Sequence, residues 1–305
     1  MKNTTITNHL PIENYLIALR QEGKSARTIQ QYGWHLEKMA TWLSEREVEQ
    51  ADEVSRDLLR EWGASLRDRW APATIKQAVC AARAFFAWCY EEGITKSDLG
   101  RALRVPHVPK RVQRTITLAE VQKLLKACDL TTVKGLRDSA LISLLVDTGL
   151  RAREICSVRV DDVHLDAQFL VTEIKGGNRV TVPFGQTASA RLRAWLEVRP
   201  ATNGVETVFV SVGGNTPGHP LTTRGLRMNL KRLGEKVGLK GVTTHAFRRG
   251  FACIAIEAGA PTRAVQLAGR WGDIRMVEQY TQALEGRKLY DHWSPADYVE
   301  NGGGS

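Results

Sequence analysis

Five polar residues in the second half of the chain, Arg151, Lys175, His245, Arg248 and Tyr280, bring together functional groups that few reactions need at once. Two guanidinium groups neutralise a phosphodiester through several donors held in a fixed fork. A lysine and a histidine move protons, and a tyrosine hydroxyl attacks phosphorus. The set points to phosphoryl transfer, with positive charge waiting where negative charge grows in the transition state. The sequence shows no clustered Asp/Glu set of the kind a two-metal nuclease uses, so the reading includes neither metal nor cofactor.

Taken singly, these residues leave alternatives open. Arg151 follows Gly149 and Leu150 at the start of a helix, behind a nearly all-apolar one. It is either directed into a cleft or paired with Glu154, because a charge at a packed junction is costly unless matched. Lys175 precedes Gly176 and Gly177 at a strand-turn-strand corner. That lysine is either an ordinary exposed hairpin residue or part of a loop entering a DNA groove, with the glycines permitting close approach. In His245-Ala246-Phe247-Arg248, helical spacing puts the imidazole and guanidinium on one side and leaves Phe247 for the core. The stretch from Arg248 to Tyr280 has room for two helices.

The elements that must position these groups follow from apolar periodicity and capping residues. Residues 10–98 read as four antiparallel helices. Ile12, Tyr15, Leu16 and Leu19 mark the first, and Ser25 caps the second, which carries Tyr32, Leu36, Met39 and Leu43. Ser55 caps the third, and Pro72 opens the fourth, with Ile75, Val79, Phe85, Phe86 and Cys89 along one side. Arg27, Lys76 and Arg83 fall on outer faces. The run from Val105 to Val112 has two prolines, clustered positive charge and no helical period, and reads as an extended linker.

A second domain opens with Thr117 and Glu120 as a capping box. Helices are expected over 140–146, 151–157, 187–196, 223–236, 246–258, 262–269 and 274–284, and strands over 165–174 and 180–183. The fold class is mainly α: a four-helix bundle, then a mainly helical domain with a small antiparallel sheet. The expected divisions are residues 1–105, a linker at 106–114, a second domain over 115–300 and a glycine-rich tail at 301–305.

Composition agrees with a nucleic-acid partner without requiring one. The formal charge is +10, and residues 111–305 carry 27 Lys/Arg against 19 Asp/Glu, so the surplus lies mainly in the second domain. The five cysteines are scattered and odd in number, which fits reduced core thiols better than a disulfide framework. No apolar stretch is long enough to span a bilayer and no signal peptide is evident, so the cytoplasm is the expected compartment.

Together the motifs resemble the tyrosine recombinase or phage integrase family. The resemblance rests on Thr148-Gly149-Leu150-Arg151-Ala152-Arg153-Glu154, the strand-turn lysine, His245-x-x-Arg248 and Tyr280, and it extends to the helical first domain. It implies a two-domain, Xer-like organisation, with a SAM-like core-binding bundle ahead of a catalytic domain of the DNA breaking-rejoining fold. It further implies that Arg151 and Arg248 bind the scissile phosphate and that Tyr280 forms a covalent 3'-phosphotyrosyl link. Lys175 protonates the departing 5'-oxygen, His245 assists proton movement, and Glu154 supports the first arginine.

Many members carry Leu-Gly-His nine residues before the tyrosine. Here Trp271 holds the histidine's slot, as in Cre-like members: it either donates one hydrogen bond to a phosphate oxygen and braces the tyrosine helix or is an ordinary core tryptophan, and it cannot act as acid or base. Adjacent Arg270 is expected in a supporting or backbone role rather than a catalytic one. The implied partner is double-stranded DNA with inverted core sites, held two duplexes at a time by a homo-tetramer through a Holliday junction. The resemblance implies that the apolar tail residues Leu284, Leu289, Tyr290 and Trp293 pack on a neighbouring subunit, while the residues themselves leave packing back on their own domain open. Two rival readings are a type IB topoisomerase and a non-catalytic DNA-binding protein.

Overall fold

Hydroxyl groups begin the helices where the sequence places them. Ser25 accepts a hydrogen bond from the Thr28 N–H at 3.2 Å, and Ser55 accepts one from Leu58 at 3.1 Å. The computed structural model describes residues 10–108, 113–174, 176–201, 204–213 and 216–281. They fall into two units, residues 1–111 and 112–305.

The first unit contains α1 (Ile12–Gln21), α2 (Ala26–Ser44), α3 (Arg56–Ser65) and α4 (Pro72–Glu91). Helix α2 packs on α1 and α4, and the apolar stripes meet in a core that includes Leu36, Met39, Leu43, Leu59, Phe85 and Phe86, all fully buried. Burying side chains of this size stabilises the unit by roughly 1.5–3 kcal/mol each before conformational entropy is set against it. Tyr15 meets the ring of Phe85 edge-on at 5.6 Å. Arg27, Lys76 and Arg83 are exposed.

The second unit begins with α5 (Leu118–Lys126), whose capping box is present in full: Thr117 accepts from the Glu120 N–H at 3.3 Å, and Glu120 accepts from the Thr117 N–H at 3.0 Å. Helix α6 (Val133–Thr148) is longer than the apolar run suggested, because Thr132 caps it by accepting from Gly135 at 3.0 Å. It is buried along most of its length and packs against α8 (Gln186–Val198) and α10 (Thr244–Glu257). Its polar residues are satisfied internally. Buried Arg137 pairs with Asp138 at 2.7 Å and donates to Asn229 at 3.0 Å, where α9 (Thr223–Lys236) passes.

Short helix α7 (Ala152–Ser157) follows α6, and a three-stranded antiparallel sheet comes next. Its strands, in order across the sheet, are β1 (Val163–His164), β2 (Phe169–Glu173) and β3 (Arg179–Pro183). The first predicted strand, 165–174, is therefore shortened. Residues 165–168 form the β1–β2 turn, with Gln168 in the left-handed region at φ 57°, and β1 lies outside the predicted span. Glu173 pairs with Arg179, so residues 174 and 176–178 lie in the hairpin loop, in which the Ile174 N–H donates to the Asn178 carbonyl at 2.9 Å.

After α9 and α10 come α11 (Thr262–Gly269) and a helix over 275–281, here α12. Helix α10 starts at Thr244 rather than 246, because Thr243 accepts from the Ala246 N–H at 3.1 Å. His245 thus lies in its first turn. Gln113 and Arg114 are held by this unit: Arg114 makes a two-pronged ion pair with Glu120 at 2.7 and 2.9 Å, and its carbonyl accepts from Arg249. The tail residues Leu284, Leu289, Tyr290 and Trp293 lie outside the described residues. Among the described residues no helix is long and apolar enough to cross a membrane, and no His/Cys/Asp/Glu group has metal-binding geometry.

Candidate active site

Helix α6 ends at Gly149, which adopts φ 58° and ψ 25°. Glycine suits this left-handed cap, and a Cβ there would come within 3.0 Å of the Phe251 ring. The turn delivers Arg151 to the position before α7. Its Nη1 pairs with Glu154 Oε1 at 2.7 Å, and its backbone N–H donates to Oε2 at 2.8 Å. Glu154 is buried, whereas the Arg151 side chain is 42% exposed. The two alternatives left open by the sequence therefore coexist: the arginine is paired from behind and open in front.

On α10, Phe247 is fully buried, Arg248 is 5% exposed and His245 is exposed. Arg248 reaches across the unit. Its Nη1 donates to the Gly149 carbonyl at 2.7 Å and its Nη2 donates to the Gly269 carbonyl. Its guanidinium carbon lies 4.4 Å from the centre of the Trp271 ring, a cation–π contact. Burial, then the charges of Arg151 and Arg270, push its pKa down to about 10, so it stays cationic at neutral pH.

Arg270, like Gly149, adopts a left-handed backbone, at φ 57° and ψ 43°, but it is not a glycine. Its Nη1 donates to the Ala268 carbonyl at 2.7 Å and its Nη2 to the Thr148 carbonyl at 3.1 Å. Arg248 and Arg270 thus clasp the same two stretches of backbone, 148–149 and 268–269. Both guanidinium groups lie at the C-terminal end of α6, where the unsatisfied carbonyls favour cations.

Trp271 is held on every side. Its backbone N–H donates to the Gln266 carbonyl at 3.1 Å, and Gln266 Nε2 donates back to the Trp271 carbonyl at 3.0 Å. Phe251 stacks on the indole at 6.0 Å and 20°, and the Tyr280 ring lies 6.0 Å away at 60°. Tyr280 itself is half-buried on α12, packed against the apolar cluster of Phe251, Ile256, Val265, Trp271 and Val277. Beneath it, Cys253 Sγ donates to the Tyr280 carbonyl at 3.3 Å.

Electrostatics link the remaining members. His245 is less basic than an ordinary imidazole, first because part of the ring is shielded from water and then because Arg249, Arg248 and Arg151 oppose a further positive charge. Three guanidinium groups surround the single carboxylate of Glu154, since Arg270 Nη2 also approaches Oε2 at 3.9 Å. The net local charge is positive, which suits an incoming phosphate.

Arg151, His245, Arg248, Trp271 and Tyr280 are thus gathered by α6, α7, α10, α12 and the turn after α11. Lys175 lies outside the described residues, although its neighbours Gly176 and Gly177 take φ 101° and 81° in the hairpin loop. Gln266, Gly269 and Cys253 are contributors that motif reading missed. Gln266 and Cys253 have no sequence signal. Gly269 had one, since a glycine near a large aromatic at a helix end marks a close approach.

A model of the phage integrase family matches residues 114–287, and a model of the phage integrase N-terminal SAM-like domain matches residues 12–93. The chain belongs to the phage integrase family. It is a site-specific tyrosine recombinase. Tyrosine recombinase XerD of Staphylococcus haemolyticus is 29% identical over 289 residues, covering 93% of this recombinase and 98% of the relative. XerD of Listeria innocua is 29% identical over 281 residues, covering 90% and 95%.

Two solved structures share the recombinase fold. A lambda integrase dimer bound to a COC' core site aligns with TM-score 0.70 at 19% identity, over 88% of this chain and 75% of that one. XerH bound to palindromic difH substrate, in a post-cleavage complex, aligns with TM-score 0.67 at 19% identity, over 92% and 82%.

Proposed function

We propose that the recombinase cleaves and rejoins duplex DNA through Tyr280. The observation that carries the reading is the contact series Arg248–Trp271–Tyr280: a buried guanidinium 4.4 Å from the indole centre, and the phenol ring 6.0 Å beyond it. A phosphate next to Tyr280 would meet the remaining N–H groups of Arg248 and the exposed fork of Arg151. Those donors stand ready before the reaction, so little reorganisation is needed as charge builds on the phosphorane.

In this mechanism Tyr280 Oη attacks the phosphorus and its proton passes to neutral His245. The P–O5' bond breaks, a 3'-phosphotyrosyl bond forms, and the 5'-oxygen leaves as a hydroxyl after taking a proton from Lys175. The role of Lys175 rests on the family resemblance alone. The phosphodiester energy is kept in the covalent intermediate, and attack by a 5'-hydroxyl of a second strand reverses each step without ATP. Successive exchanges pass through a Holliday junction. Trp271 donates one hydrogen bond at the phosphate and braces the tyrosine helix.

The proposed substrate is double-stranded DNA with inverted core sites, bound in pairs by protomers and brought together as a tetramer on two duplexes. The lambda integrase dimer on its core site and XerH on a palindromic substrate support paired protomers on inverted arms. Residues 1–105 serve as the core-binding domain, residues 106–114 as linker, residues 115–300 as catalytic domain and residues 301–305 as tail. Exposed Arg27, Lys76 and Arg83 meet the phosphate backbone. With DNA as substrate, the place of action is the nucleoid in the cytoplasm.

The test is a pool of nicked duplexes with randomised inverted arms, in which cleavage traps the covalent intermediate. Wild-type protein yields a denaturant-resistant protein–DNA adduct whose peptide map places the DNA on Tyr280, and the selected duplex defines the site. Tyr280→Phe binds that duplex and yields none. An adduct of normal yield in Tyr280→Phe would refute the assignment.

A further inference from the structure

We propose that Arg270 is a positioning residue for strand cleavage: by holding Glu154 from behind, it lets Arg151 turn its outward donors to the scissile phosphate. The inference rests on the assignment of Arg151 and Tyr280 to cleavage.

The backbone of Arg270 is the first observation. At φ 57° and ψ 43° a side chain with a Cβ is disfavoured, and glycine is the residue that local physics selects. The chain instead places there one of its longest cations. What this residue offers that a glycine would not is its guanidinium.

The setting of that guanidinium is the second. The side chain is only 12% exposed, and its Nε is buried with no hydrogen-bond partner. A buried cationic donor left unsatisfied is unfavourable for stability. The bonds from Nη1 to the Ala268 carbonyl and from Nη2 to the Thr148 carbonyl fix the group without satisfying it fully. A purely structural cross-link between the same stretches is already made by Arg248 through Gly149 and Gly269.

Glu154 supplies the third. Its Oε1 accepts from Arg151 Nη1 at 2.7 Å, and its Oε2 accepts from the Arg151 N–H at 2.8 Å while facing Arg270 Nη2 at 3.9 Å. With Arg151 as its only ion-pair partner, a buried carboxylate would compete with the phosphate for that guanidinium. Arg270 keeps Glu154 neutralised and oriented, so the Arg151 fork is shared with the phosphate at smaller cost. Support of this kind from a neighbouring charge tightens the geometry of the groups that touch substrate.

The experiment measures adduct formation by full-length protein on the selected nicked duplex, with rate at saturating DNA and half-saturating concentration separated. Arg270→Gly accepts the left-handed backbone and removes the guanidinium. It is expected to slow the saturating rate about 10- to 100-fold, with DNA affinity changed by no more than about threefold. In a Glu154→Gln background the same substitution costs less than about threefold, because the two residues act as one unit.

A merely structural role would lower the melting temperature and would slow cleavage equally in both backgrounds. An equal slowing in both backgrounds, or a wild-type rate in Arg270→Gly, overturns the proposal. Should near-ultraviolet circular dichroism show Arg270→Gly unfolded, Arg270→Gln decides. It keeps an amide donor but no charge, and it is expected to be slowed likewise, while a wild-type rate overturns the proposal. Absence of a wild-type adduct on Tyr280 would refute the cleavage assignment instead, so the two failures are distinct.

Discussion

The Trp271 indole fills the space in which residue 269 would carry a Cβ: an added methyl at Gly269 would lie 1.8 Å from Trp271 Cζ3. The glycine and the tryptophan are therefore one device, since the ring that touches Arg248 and Tyr280 reaches its place only over a residue without a side chain. Gly269→Ala forces the ring to move and is expected to destabilise the protein by about 1–3 kcal/mol, with cleavage impaired. In a Trp271→Ala background the cost of Gly269→Ala largely disappears. Denaturant unfolding of the two single variants and the double variant measures the coupling, and simple additivity would contradict the contact.

Arg248 spans two backbone carbonyls from opposite sides of the site, a task that needs a planar fork. A lysine offers one compact charge and cannot reach both Gly149 and Gly269. Arg248→Lys is expected to lower the adduct rate at saturating DNA about 100-fold or more. Affinity falls far less, because phosphate contacts spread over the interface dominate binding. Equal losses in rate and affinity, read from gel quantification beside equilibrium binding, would remove Arg248 from the reacting centre.

His245 titrates below the ordinary imidazole value of 6.5, with shielding and three arginines as the causes. In DNA-free protein its NMR titration midpoint is expected below that value, and Arg249→Gln raises it. A midpoint at or above 6.5 would show that the arginines do not act on it. As acceptor of the Tyr280 proton, His245 works in its neutral form. Adduct formation at constant DNA occupancy therefore falls as the pH drops through the lowered midpoint.

His35 makes the first unit acid-sensitive. It is buried beside Trp34 and Trp70, its Nδ1 lacks a partner, and burial lowers its pKa below 6.5 against the opposing hydrogen bond with Gln77. Between 6.5 and the lower folded value, the unfolded chain binds a proton that the folded chain does not. The contribution to stability is complete above 6.5 and is lost as the pH falls through that window. His35→Phe is expected to flatten this part of the stability–pH curve, measured by thermal unfolding of the full chain. An unchanged slope would assign the acid sensitivity to other groups.

Much of this architecture is legible along the chain because its signals are local. Ser25, Ser55 and Thr117 each cap a helix through a side chain three residues from its donor, and apolar stripes at helical spacing become the buried faces. The hairpin turn at Gly176 and Gly177 is likewise set by those glycines, whereas the shortened β2 reflects a left-handed Gln168 for which the sequence carries no sign. The long-range links are silent for the same reason. The bond from Arg248 to Gly149 spans 99 residues and that from Arg270 to Thr148 spans 122, and neither leaves a periodic trace.

The sequence by itself determined the order of the helices, the family motifs and the identity of the groups available for phosphoryl transfer, since these depend on residue type and short-range spacing. Only the tertiary structure decided how those groups are charged and held. Whether Arg151 is paired or open, whether Trp271 merely packs or also touches Arg248, and what Arg270 does all depend on which backbone carbonyls and carboxylates converge after folding. Burial and electrostatic interaction are set by distance in space, and the chain brings those partners together only when its core closes.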